Sequence, residues 1–101
     1  MSSAVQCATC GREFDRLGRD RPAAIIAVEV MGDEYVYSYF FCGACEVYTQ
    51  GTFHDRFLGE ESVGVSGPIP KERGDELVEL ILKCPDPTDK RCTCPSHRHF
   101  L

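Results

Sequence analysis

Long apolar runs are missing from this sequence. Its most hydrophobic stretch, residues 22 to 31, is interrupted by Glu29 and falls short of the roughly 18 consecutive apolar residues a membrane helix needs, which predicts a soluble chain. Residues 1 to 6, Met-Ser-Ser-Ala-Val-Gln, lack a basic segment followed by an apolar run, so export is not expected and a cytoplasmic location is. Catalytic signatures are absent too. There is no nucleophile elbow, phosphate loop or His-Glu-x-x-His, and no His-x-Glu ahead of a Pro-Cys-x-x-Cys as zinc deaminases require. Positive charge is scarce, with 11 Lys and Arg against 16 Asp and Glu and a net charge of −5. Generic attraction to a phosphate backbone is therefore not expected.

What the sequence does have is cysteine. Its 101 residues and 43% hydrophobic content suit one folded domain spanning 1–101. A domain of that size buries a smaller share of its surface than a larger one, so a metal or disulfide staple is a natural supplement to a thin core. Seven cysteines supply the candidates. Disulfides rarely persist in a reducing cytosol, and an odd count leaves one thiol unpaired in any disulfide scheme, so metal ligation is the better reading.

The patterning predicts an α+β domain. Residues 23–31 and 35–42 are two β-rich runs separated by Gly32-Asp33, a hairpin signature. In the second run Tyr35, Tyr37, Tyr39 and Phe41 share one face, which favours packing against another layer over a ligand platform. Residues 46–50 read as a short helix closed by Gly51. Residues 51–73, rich in Gly and Pro, read as mostly loop with a short strand around Val63 and Val65. The clearest helix spans about 75–83, with Asp75 as N-cap, Pro85 as a stop, and Leu77, Leu80 and Ile81 as a core-facing stripe widened by Val78 and Leu82.

Two groups of residues carry chemistry. Cys7-Ala8-Thr9-Cys10-Gly11 and Cys42-Gly43-Ala44-Cys45 are two Cys-x-x-Cys units, each able to turn back on one ion. Gly11 can take the positive φ that lets backbone N–H groups approach the thiolate sulfurs. Residues 11–41 separate the pairs, more than the roughly 15 to 20 residues of compact four-cysteine sites. A hairpin accounts for the excess, because it returns its two ends to the same edge and brings Cys42 back towards Cys10. On these residues, the segment 7–51 resembles the zinc-ribbon and treble-clef groups of zinc fingers. A ribbon implies that Cys42 and Cys45 sit on a second knuckle; a treble clef implies that they sit at the first turn of a helix over 43–50, which Gly51 favours. Rubredoxin is similar in its two Cys-x-x-Cys-Gly knuckles and implies iron as the alternative metal, but Glu46 stands where its second glycine would be.

The second group lies in 84–99, where Cys84, Cys92 and Cys94 are joined by His97 and His99. Seven cysteines and one histidine fill two four-coordinate zinc sites, so a set of three cysteines and one histidine closes the count at two Zn2+ per chain. His97 is preferred because Cys94-x-x-His97 repeats the two-residue gap; His99 is the alternative. Prolines 85, 87 and 95 stiffen the loop and lower the entropy lost on wrapping an ion. The flanking Lys90, Arg91 and Arg98 would also lower thiol pKa values, which keeps a thiol redox sensor open.

Both ligand sets are closed, whereas catalytic zinc keeps one position open. His54-Asp55 is the only further acid–base pair, and neighbours on a strand point to opposite faces. No enzyme activity is expected. The leading expectation is a non-enzymatic zinc module whose partner is another protein. A nucleic-acid binder using Arg12, Arg16, Arg19 and Arg21 with Lys90, Arg91, Arg98 and the tyrosine stripe is the alternative.

Overall fold

The computed structural model describes residues 5–14, 21–56, 59 and 61–100. Four strands, β1 (Ala24–Val30), β2 (Asp33–Cys42), β3 (Val47–Asp55) and β4 (Glu61–Pro70), form one antiparallel sheet in sequence order. Two helices follow, α1 (Lys71–Leu82) and α2 (Pro95–His99). The α+β class holds, with four strands where a hairpin and one short strand are expected.

The expected hairpin is β1 and β2, registered from Ala24 against Tyr39 to Val30 against Asp33. Its turn is Met31-Gly32, at φ 53° and 90°, the doubly left-handed geometry that matches strand twist. That is one residue earlier than expected, because Asp33 already belongs to β2.

Between 46 and 73 the sequence reading needs correcting. Residues 46–50 form no helix; from Val47 the chain is β3, pairing Cys42 with Val47 and Tyr35 with His54. Tertiary pairing overrides the local signal, since Tyr48 and Thr49 are both buried although they point to opposite faces. Gly51 is not a helix cap. It lies mid-strand, and a Cβ there would come within 3.0 Å of Val5 Cγ2, so glycine lets the N-terminal segment lie close on the sheet. Of the expected loop, 51–55 complete β3, 61–70 form β4, which contains the short strand expected around Val63 and Val65, and 71–73 open α1, while 57, 58 and 60 lie outside the described residues. Pro68 and Pro70 fit there because β4 is an edge strand.

Helix α1 begins at Lys71, not at 75, so Asp75 is no N-cap. It instead accepts hydrogen bonds from the Tyr48 hydroxyl at 2.6 Å and from Lys71 Nζ at 2.8 Å. Next to it, Gly74 is buried against Tyr48, whose ring a Cβ would overlap. The packed stripe is Gly74, Leu77, Val78 and Ile81, at i, i+3, i+4 and i+7; Leu82 turns outward, 65% exposed.

These elements build a layer on each face of the sheet. On one face Tyr39 packs with Ala24, Ile26, Val28, Tyr48 and Ile81, flanked by Tyr35, Tyr37, Phe41 and Phe100. The aromatic stripe is therefore largely core. Burying Ile81 alone contributes about 1.5–3 kcal/mol. On the other face Phe40 and Cys42 pack with Val5, Cys7 and Phe14, the Phe14 and Phe40 rings stacked at 5.1 Å. No helix among the described residues is long and apolar enough to cross a membrane.

Candidate metal centres

The N-terminal segment folds back on itself through Cys7 N–H to Arg12 O (2.8 Å) and Phe14 N–H to Val5 O (2.9 Å). The Ala8 N–H donates to Thr49 Oγ1 at 2.9 Å, pinning the segment to β3. Thr49 is fully buried, which makes this bond hard to replace with water. This placement sets Cys7 and Cys10 beside Cys42 and Cys45, at the turn between β2 and β3.

The two cysteine turns are copies of one geometry. Gly11 N–H bonds Cys7 O at 2.9 Å, and Glu46 N–H bonds Cys42 O at 2.7 Å. Gly11 is at φ 79° and Glu46 at φ 55°. Glu46 thus adopts without a glycine the left-handed conformation that Gly11 adopts freely. In each turn the backbone N–H of the second cysteine approaches the first sulfur. It is the leading cause that pulls the Cys7 thiol down to about 6 and lowers that of Cys42. Cys45 moves the other way, pushed up to about 12 by its contact with Cys10 and by burial. Four sulfurs this close do not all ionise unaided, and a divalent ion supplies the charge that lets them.

The second cluster is assembled by the tail after α1. Ala27 N–H donates to Pro87 O at 2.9 Å, so the tail lies along the outer edge of β1, and Lys90 pairs with Glu34 at 3.8 Å. Cys94 N-caps α2, Pro95 occupies its first turn, and Ser96 Oγ donates to Leu80 O at 2.6 Å, clasping α2 to α1. His97 is 1% exposed, and its Nδ1 lies 3.3 Å from Cys84 Sγ and 3.5 Å from Cys94 Sγ. Cys84 Sγ is 3.7 Å from Cys92 Sγ and 3.3 Å from Cys94 Sγ. His99 is not in this group; its ring meets Phe100 edge-on at 5.1 Å. Burial pushes the Cys84 thiol up to about 12, while the His97 backbone N–H brings Cys94 down to about 6.

Both groups are geometrically able to hold a metal ion, with every donor atom within 4.8 Å of the others in its group. Ligands at the usual Zn–S and Zn–N lengths in a tetrahedron lie about 3.8 Å apart for two sulfurs and about 3.6 Å for sulfur and nitrogen. The Cys10–Cys42 separation of 4.0 Å, the Cys84–Cys92 separation of 3.7 Å and the His97 Nδ1 distances of 3.3 and 3.5 Å fall near those edges, while Cys84–Cys94 is shorter at 3.3 Å. All seven thiols are free, and none is at disulfide distance. Facing His97 Nδ1 inward leaves Nε2 buried without a hydrogen-bond partner, and a metal on Nδ1 would place the ring proton on that nitrogen. Comparison with family models, with curated proteins and with solved structures returned no match.

Other residues singled out in the sequence lie apart. His54 pairs not with Asp55 but with Asp33, Nε2 to Oδ2 at 3.0 Å, and stacks on Tyr35 at 4.1 Å. Arg12 lies over the Phe14 ring, 5.1 Å from its centroid. Arg16 and Arg19 lie outside the described residues. Sequence reasoning missed Thr49, Ser96, Pro87 and the Gly74–Tyr48–Asp75 contact. Thr49 meets Ala8 across 41 residues, and no local pattern marks such a pair.

Proposed function

We propose that this chain is a non-enzymatic, zinc-ribbon-like module that holds two structural Zn2+ ions and offers its remaining surface to a protein partner. Cys7, Cys10, Cys42 and Cys45 ligate the first ion; Cys84, Cys92, Cys94 and His97 ligate the second, with His97 using Nδ1. The observation that carries this reading is the pair of closed four-donor clusters at near-tetrahedral spacing. Closed sets leave no position for a water nucleophile, which argues for a structural role. The β3 strand that follows Cys45, where a treble clef has a helix, favours the ribbon. Acidic net charge and the engagement of Lys90 by Glu34 weigh against nucleic acid.

Metal analysis of protein purified without added metal tests this directly. Two zinc ions per chain are expected. Fewer than two, or the visible absorption of an iron–thiolate centre, overturns the assignment. A thiol redox switch is a second reading, favoured by Cys94, partly exposed and with its thiolate stabilised. Peroxide would then release the second ion, with reversal by reductant; zinc that survives peroxide removes that reading.

A further inference from the structure

The two outer edges of the sheet are treated differently. The edge of β1 is covered, since Ala27 N–H bonds Pro87 O and the tail runs beside it. The edge of β4 has no strand or tail bonded to it among the described residues, and 61–68 are exposed throughout. An open edge of this length is a template for strand addition. Pro68 and Pro70 limit it to the seven residues 61–67, because proline lacks the N–H that an added strand would need.

Those seven residues contain a palindrome, Ser62-Val63-Gly64-Val65-Ser66. Antiparallel pairing with an identical strand about Gly64 sets Val63 against Val65 of the second copy and Ser62 against its Ser66. Val63 and Val65 share one face and are 54% and 50% exposed. Val63 continues an apolar row from Ala27 through Val36 and Phe53, so the second copy would extend that row and cover its open end. Gly64, at the centre of the palindrome, has open space where a Cβ would lie among the described residues, so the symmetric Gly64 pair meets no steric obstacle.

We infer that two copies of this chain associate through their β4 edges, antiparallel about Gly64, into one continuous eight-stranded sheet. The occupant is a second copy rather than a foreign strand because the edge is self-complementary. Pairing β4 to the β1 edge of another copy, which would run on into a fibre, is blocked by the tail, so the assembly closes at two. The inference goes beyond the proposed function and stands whichever metal the clusters bind.

Sedimentation of the metal-loaded full chain over a concentration series tests it, with two double variants. Ser62→Lys with Ser66→Lys puts like charges opposite each other at both symmetric pairs; Ser62→Lys with Ser66→Glu puts opposite charges there. Both sites are exposed and two turns of the pleat apart, so the fold of one copy is little affected; metal content and circular dichroism check this. The expected result is a wild-type dimer whose dissociation constant rises about tenfold in the Lys/Lys variant and returns to near the wild-type value in the Lys/Glu variant. A monomer at every concentration overturns the inference. Equal loss in both variants, or association indifferent to both, overturns the register and the edge respectively.

Discussion

The four-cysteine cluster and the mixed cysteine–histidine cluster use the same i to i+3 turn but stand in different relations to the sheet. The first closes the β2–β3 hairpin: Cys42 ends β2, Val47 opens β3, and this end of the hairpin carries two of the four donors. Its other two donors come from a segment whose Val5, Cys7 and Phe14 form the core of that face. The second cluster draws only on the chain after α1 and ties a tail to a helix end and to the edge of β1. A metal at the first site therefore acts on the sheet itself, whereas a metal at the second acts on what lies beside it. Similar ligand chemistry can carry unequal shares of stability, because the share depends on how much of the core each ligand set organises.

The largest expected effect is on the pair of ligand substitutions that tests this inequality. Cys42→Ser should lose the first ion, cost more affinity than the roughly 10- to 100-fold of an outer-shell change, and abolish the cooperative melt. Cys94→Ser should lose the second ion while amide protection in β2 and β3 stays at wild-type values. Hydrogen exchange with metal analysis reads both. Equal loss of sheet protection in the two variants would break the comparison.

An intermediate effect is expected at Gly74. In an exposed helix Gly→Ala gains up to about 1 kcal/mol. Here the added methyl meets the Tyr48 ring, whose hydroxyl is held by Asp75, so the ring has no free direction of escape. Gly74→Ala should therefore destabilise by about 1–3 kcal/mol in denaturant titration. It should also weaken the second site more than the first, since Cys84 follows directly on α1. A stabilised variant would show that helix and sheet do not pack as closely as described.

The smallest effect sharpens the likeness of the two knuckles. Glu46 holds φ 55° without being glycine and is exposed, so Glu46→Gly should gain about 0.5–1 kcal/mol and raise metal retention at the first site alone in a chelator titration. Loss of retention would mean that the Glu46 side chain, which acts on Lys71 through its charge, matters more than its backbone.

Much of both clusters was legible in the sequence because a Cys-x-x-Cys or Cys-x-x-His turn is local: the donor atoms lie one turn apart whatever surrounds them. The hairpin 23–42 was legible for the same reason, with alternation and a glycine turn within reach of one another. The helix expected over 46–50 failed because its short window also fits a strand, and the choice was made by β2 on one side and β4 on the other. Asp75 is the residue type that caps a helix, but α1 begins four residues earlier, at Lys71. Gly74 is a helical residue emptied of its side chain to admit Tyr48, which lies far earlier in the chain.

By itself the sequence determined which residues can act as donors and how they are paired, since those follow from composition and from short, regular spacings. Tertiary structure decided the rest. It set His97, already preferred by its spacing, against Cys84 and Cys94 by clasping Ser96 to Leu80, brought Cys7 and Cys10 to the hairpin through Val5, Thr49 and Gly51, and covered one edge of the sheet while leaving the other open among the described residues. Each of those outcomes joins residues well separated along the chain, where closure is governed by packing and burial that no short window of sequence contains.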